Sequence, residues 1–216
     1  MAADDVEICN LALAKIGGGE DTRTISALGT SGDKTSELCD LLFNPTRKEV
    51  LKRLQPQECC EYEDLGSESS DTPEMAEWLY VFDLPDDFLH LIRQTDEQYH
   101  KLNYDCEVKL GYLFTNTLSN DDGDSAYIEY VVDEDTVTVF SDETVSCITT
   151  KLAAELAPRI VSGEYGHKRR LELLDEFEKL VLPVAKGTNH AQQHDENSHI
   201  GRDSKYSILG DRGAYD

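Results

Sequence analysis

Basic residues are scarce in this chain. Twenty Lys and Arg stand against 44 Asp and Glu in 216 residues, leaving a formal charge of −24. Wrapping nucleic acid by counter-charge needs clustered Lys and Arg, so this balance argues against it, and equally against docking on an anionic membrane. Long apolar runs are also missing, and no stretch approaches the ~20 residues needed to span a bilayer. The opening MAADDVEICN is acidic and has neither the basic nor the apolar region of a secretion signal. The cysteines, Cys9, Cys39, Cys59, Cys60, Cys106 and Cys147, form no C-x-x-C pair, and no histidine lies at zinc-ligand spacing from them. Reduced thiols in a cytoplasm are therefore the expectation.

Catalytic signatures are absent as well. There is no G-x-S-x-G and no cysteine marked by a neighbouring base. The run GTSGDKTS, from Gly29 to Ser36, lacks the Gly-Lys-Thr series of a phosphate loop because Asp33 separates Gly32 from Lys34. A carboxylate there would repel phosphate, so a loop leading into a capped helix is expected. His190 and His194 are four apart, with His199 beyond, but have no thiolate or positioned acid beside them, which predicts solvated histidines. Asp121-Asp122-Gly123-Asp124 lacks the alternating acids and the closing Glu of a calcium loop, which predicts a hairpin turn. Asp86 and Asp87 are adjacent and make poor acid–base partners, because neighbours in an extended chain point to opposite faces. These readings predict no enzyme, no cofactor and no metal.

What is present is acidity in one place. Residues 1–54 carry a net −2, residues 55–150 a net −21 and residues 151–216 a net −1. Periodicity divides the chain in a similar way. From Asp4 to Ile16, Val6, Cys9, Leu13 and Ile16 share one helical face, Asp4 is placed to cap, and Gly17-Gly18-Gly19 predicts a left-handed stop. A second helix is predicted from about Ser36 to Leu54, with Leu38, Leu41, Leu42, Val50, Leu51 and Leu54 on its apolar face and a kink or restart at Pro45. Residues 57–77 read as an acidic loop. Between Trp78 and Phe140, the runs WLYVF, HLIRQ, EVKLGYLF, AYIEYVV and TVTVF suit strands, separated by the turn signals LPDD, NDDGD and DED. A third helix follows with Val145, Ile148, Leu152, Leu156 and Ile160 in a stripe, bent at Pro158. Gly163 and Gly166 are expected to break the chain before a fourth helix that buries Leu171, Leu174, Phe177, Leu180 and Val181. The polar remainder has spaced apolar anchors at Ile200, Tyr206, Ile208, Leu209 and Tyr215, which suit a segment that orders on a partner.

The predicted fold class is α+β: a four-helix bundle with a small antiparallel β subdomain inserted between helices 2 and 3, and an extended C-terminal tail. The bundle is discontinuous over 1–56 and 142–187, the insert covers 78–141, and the tail covers 188–216.

The order of motifs resembles the head-to-tail adaptor family of tailed phages, in particular the tail tubular protein A group of short-tailed phages. ICNLALAKIGGG, with Cys9, Asn10, Leu13 and Gly17, resembles the opening C-N-x-A-L-x-x-(I/L)-G helix. In SELCDLLFNPTRKEVLKRLQP, Arg47, Glu49, Val50 and Leu51 resemble the R-x-E-V-L run, although Pro45 precedes it and, of the usual P-W-N-F-A continuation, Pro56 is present but QECCEYE follows it. WLYVFDLPDDFLHLI, with Trp78, Tyr80, Leu84, Pro85, Asp87 and Leu89, is similar to W-x-Y-x-Y-x-L-P-x-D-(F/C)-L-R, with Phe82 for the second Tyr and His90 for the Arg. KLAAELAPRI, with Leu152 and Leu156, resembles the L-A-A-x-L-A of the third long helix.

The resemblance implies a structural role and no catalysis. Family members form a twelve-membered ring below the portal protein ring, in the neck of the virion, after assembly in the host cytoplasm. Genomic DNA passes through without sequence-specific binding, the tail nozzle (tail tubular protein B-like) attaches below, and tail fibres attach in some members. C-terminal segments of related adaptors dock on the portal, which makes Ile200, Tyr206, Ile208, Leu209 and Tyr215 candidate portal anchors. Near-neutral helices can pack side by side in such a ring, and acids facing the channel would repel DNA phosphate at close range. The charge also fits a different protein, an acidic DNA mimic that occupies a basic site on a host nuclease or polymerase.

Overall fold

The computed structural model describes residues 4–17, 24–69, 77–96, 105–119 and 125–189. The predicted tail anchors Ile200, Tyr206, Ile208, Leu209 and Tyr215, the tail histidines and the Asp121–Asp124 turn lie outside these residues.

The described chain is α+β, with four helices and two small antiparallel sheets. Helix α1 (Asp5–Ile16) begins where Asp4 accepts the Glu7 amide at 2.7 Å, a cap worth about 1 kcal/mol. It stops at Gly17 in an extended conformation (φ −78°, ψ 108°), not the left-handed one expected. Helix α2 (Lys34–Leu54), capped by Asp33, runs through Pro45 without the restart the sequence suggests. Pro45 sits on an exposed face, where water can reach the carbonyl that loses its donor. On the same outer side, Leu41 is exposed and not part of the apolar face.

Helix α3 (Asp142–Ile160) packs against α1, α2 and α4 (Glu164–Glu176). Its buried residues run almost all the way round, from Thr144 and Cys147 through Leu152 and Leu156 to Ala157, as a helix with three neighbours requires. Gly163, at φ 78°, breaks the chain as expected, but Gly166 lies inside α4. A Cβ there would stand 2.2 Å from the Val161 carbonyl oxygen and 3.0 Å from that of Ala157. Gly166 therefore marks a close approach of α4 to the end of α3, not a break.

The fourth helix also departs from the predicted stripe. A five-residue π-helical stretch, Phe177–Val181, follows α4, and residues 182–189 continue as helix. The Leu182 amide bonds the Phe177 carbonyl, so the buried positions step from Phe177 to Leu182 to Ala185. This i+5 step turns Leu180 and Val184 outward, and Leu171 is exposed as well. The helix also includes 188 and 189, which the sequence assigned to the tail.

The predicted loop at 57–77 contains structure. A 3₁₀ turn at Gln57–Cys59 leads into β1 (Cys60–Asp64), an edge strand. One sheet has the order β1-β6-β3, with β3 at Phe88–Thr95 and β6 at Tyr127–Val132. The other has the order β2-β5-β4, with β2 at Tyr80–Asp83, β4 at Cys106–Lys109 and β5 at Tyr112–Thr115. EVKLGYLF is thus a hairpin and not one strand, and TVTVF contains a 3₁₀ turn at Val137–Val139.

Strand β6 is shared by two cores. Val131 joins the helical core, while Ile128, Tyr130 and Val132 join Phe82 and Leu113 in a second cluster between the sheets. Its partner β3 follows with an unusual spacing. Phe88, Leu91 and Gln94, three apart, pair with Val132, Tyr130 and Ile128, two apart, because a register shift falls in each interval. Each bulge spends one extra residue, so the outer strand bends around the inner one. The residues left over, Leu89 and Ile92, pack on the helical core.

Candidate functional site

Motif residues from distant parts of the chain meet where helices and sheets join. Arg47, on the inner face of α2, has a side chain only 3% exposed. Its Nη2 donates to Asp133 Oδ1 at 2.9 Å, and its Nη1 donates to the Glu134 carbonyl. Lys48 Nζ donates to the other Asp133 oxygen. The Asp133 amide in turn donates to the Asp87 carbonyl at 2.7 Å, and Tyr130 Oη donates to Asp87 Oδ1 at 3.2 Å. One aspartate just beyond β6 thus links α2 to the turn between β2 and β3. Burial would raise the Asp133 pKa, but the hydrogen bond from Lys48 and the Arg47 charge outweigh it and hold the carboxyl below its usual 3.8.

A second strut lies beside the first. Glu58, in the 3₁₀ turn, accepts the Ser141 amide at 2.9 Å and the Thr144 hydroxyl at 2.8 Å, while Ser141 Oγ caps α3. Burial acts to raise the Glu58 pKa, and hydrogen bonds from backbone amides and from the Thr144 and Ser141 hydroxyls bring it below 4.5. A carboxyl depressed in the folded state contributes stability above its unfolded pKa, and that stability is lost as pH falls through the folded value. Glu58→Gln should therefore lower the unfolding free energy by about 1 kcal/mol at neutral pH and flatten its decline below pH 4.5. Urea unfolding across that range measures both, and parallel pH slopes for the two proteins would refute the strut.

The other motif residues serve the two cores. Cys9, Leu13, Val50, Leu51, Leu152 and Leu156 are buried in the helical core. Asn10 brackets residue 25, donating to the Ile25 carbonyl at 3.0 Å and accepting its amide at 2.8 Å, which ties the loop after α1 to that helix. Tyr80 and Leu84 pack on the second cluster and Leu89 on the first, so the segment from Trp78 to Ile92 crosses from one core to the other with Pro85 and Asp87 at the turn. Trp78 Nε1 is buried and finds no acceptor among the described residues.

Burial pushes the Cys59 and Cys60 thiols up to about 12 and Cys147 to about 11, which keeps them protonated and poorly nucleophilic. Among the described residues there is no group of three or more His, Cys, Asp or Glu able to hold a metal ion, and no helix is long and apolar enough to cross a membrane. Acids face solvent along the β1 edge, at Glu61, Glu63 and Asp64.

Sequence reasoning found Arg47 and Asp87 but missed Asp133, Glu58 and Tyr130. Asp133 lies 86 residues from Arg47, and no local pattern signals such a pairing. The one available cue is an acid directly after the apolar pair Val131-Val132 that ends β6. Compared with protein-family models and with curated proteins, the chain matches none.

Proposed function

We propose that the chain is a structural virion protein: a head-to-tail adaptor that forms a ring, dodecameric as in the family it resembles, between the portal and the tail nozzle. In this reading the four helices form the bundle that packs side by side, and the β subdomain is its insert. The observation that carries the reading is the meeting of separated motif segments at one joint. Arg47 of the R-x-E-V-L run and Asp87 of the W-x-Y…L-P-x-D turn are tied through Asp133. Such a joint holds helices and insert at a fixed angle, which a ring subunit needs because angular error accumulates around the ring. No chemistry is assigned to it, and the acids of the insert supply a surface that DNA passes without gripping.

The test is to mix the portal ring with the full chain and with a chain ending at Asn189, and to image both. A ring under the portal with the full chain, and no docking by the shortened one, is the expected pair of results. Docking without residues 190–216 would remove the tail from the reading. Failure of the full chain to form a ring would remove the adaptor itself, and co-purification with a basic nuclease or polymerase at low salt would favour the DNA mimic. The same images locate Glu61, Glu63 and Asp64 relative to the channel.

A further inference from the structure

The β4–β5 hairpin carries an apolar side chain where one is least expected. Lys109 pairs with Tyr112, so the loop is the two residues Leu110 and Gly111, with φ of +54° and +85°. Positive φ at both positions selects Asn, Asp or Gly at the first, because a Cβ is strained in the left-handed region. Leu110 is nonetheless there, and it is 77% exposed. It suits neither the turn nor the solvent.

An apolar groove lies elsewhere on the same chain. Between the first turn of α3 and the helical stretch after α4, Leu180, Val181, Val184 and Ala185 line an open space of about 310 Å³ rimmed by Asp142 and Glu143. The space left by truncating a leucine is on the order of 150 Å³, so the groove has room for one such side chain and the backbone carrying it. Leu180 and Val184 are 61% and 59% exposed, so no described residue of this copy covers them. Charge matches as well: Lys109, next to Leu110, pairs among the described residues with the half-exposed Glu107 at 2.6 Å and can turn to the acidic rim.

We propose that the hairpin tip of one copy docks in the α3–α4 groove of the next, with Leu110 against Leu180 and Val184 and Lys109 facing Asp142 and Glu143. The two surfaces differ, so the contact is heterologous and propagates head to tail, closing into a ring if the rotation closes. This rests on the reading of the chain as a ring subunit and names the interface that reading requires.

The test compares full-length wild type with Leu110→Asn by sedimentation and by thermal melting, alone and on the portal ring. Leu110→Asn should weaken self-association about tenfold or more, since a buried aliphatic anchor is lost. It should also raise Tm by roughly 2–4 °C, because Asn suits the turn. Lower association with a higher Tm separates a lost contact from a lost fold. Val184→Asp should weaken association similarly, and Lys109→Glu should be rescued in part by Glu143→Lys. A photo-crosslinking residue at 110 should join to 180–185 of another copy. A ring that forms unimpaired with Leu110→Asn, or crosslinks from 110 to another surface, would overturn this interface and leave the ring reading standing. A wild-type chain that forms no ring in either setting would overturn both.

Discussion

Asp133→Ala should destabilise the protein more than Arg47→Met, although the two residues form one pair. Guanidinium stays charged under all ordinary conditions, and the Arg47 side chain is 3% exposed. Among the described residues, removing Asp133 leaves that buried charge with the Glu134 carbonyl and the Asn44 side chain as its acceptors. Breaking a buried pair in this way costs about 3–5 kcal/mol. Arg47→Met removes the charge together with its need for a partner and keeps most of the volume. Asp133 then retains Lys48 and reaches water, being about a quarter exposed. That change should cost only about 1–2 kcal/mol. Denaturant unfolding of the two variants decides the matter. If Arg47→Met is the more damaging, the side chain acts mainly by packing, and the electrostatic account of the joint is wrong.

Gly166→Ala should be the most damaging single-methyl change in the helical core. Alanine is the better helix former by about 1 kcal/mol, so propensity alone predicts a gain. Sterics predict the reverse. The added Cβ would meet the Val161 oxygen at 2.2 Å, the Ala157 oxygen at 3.0 Å and Pro158 Cα at 3.2 Å. All three are backbone atoms, so no rotamer change relieves the clash, and α4 must move away from α3. That movement opens the packing of Leu173 and Phe177, both fully buried. Overpacking commonly costs 1–3 kcal/mol, and this site belongs near the top of that range, a fall of roughly 6–12 °C in Tm. A melting temperature unchanged or raised would mean that the two helices do not approach so closely.

The helices were the most legible part of the sequence. Asp4, Asp33 and Ser141 each stand at a cap, and the stripes that follow are buried or half-buried except at Leu41. The strand CEYED was not legible, because it lies at an edge with little burial and owes its form to pairing with β6. β3 was found as a strand, but its spacing of three could not be read without the bulges that produce it. Leu180 was assigned inward because the stripe was counted at helical period, and the π turn falls at that point. The site was half legible for a related reason. Arg47 and Asp87 stand in recognisable runs, whereas Asp133 and Glu58 are distinguished only by what the fold brings to them.

That π turn acts like a shift of reading frame within the helix. Each helical residue advances about 100°, so one extra residue rotates all that follows by more than a quarter turn. The core keeps its supply of apolar groups, with Leu182 and Ala185 taking the inward places. Val184, which would have been buried in the unshifted frame, becomes a wall of the groove instead. A single residue of length in Phe177–Val181 thus decides whether this end of the molecule presents a closed helix or a receptive surface.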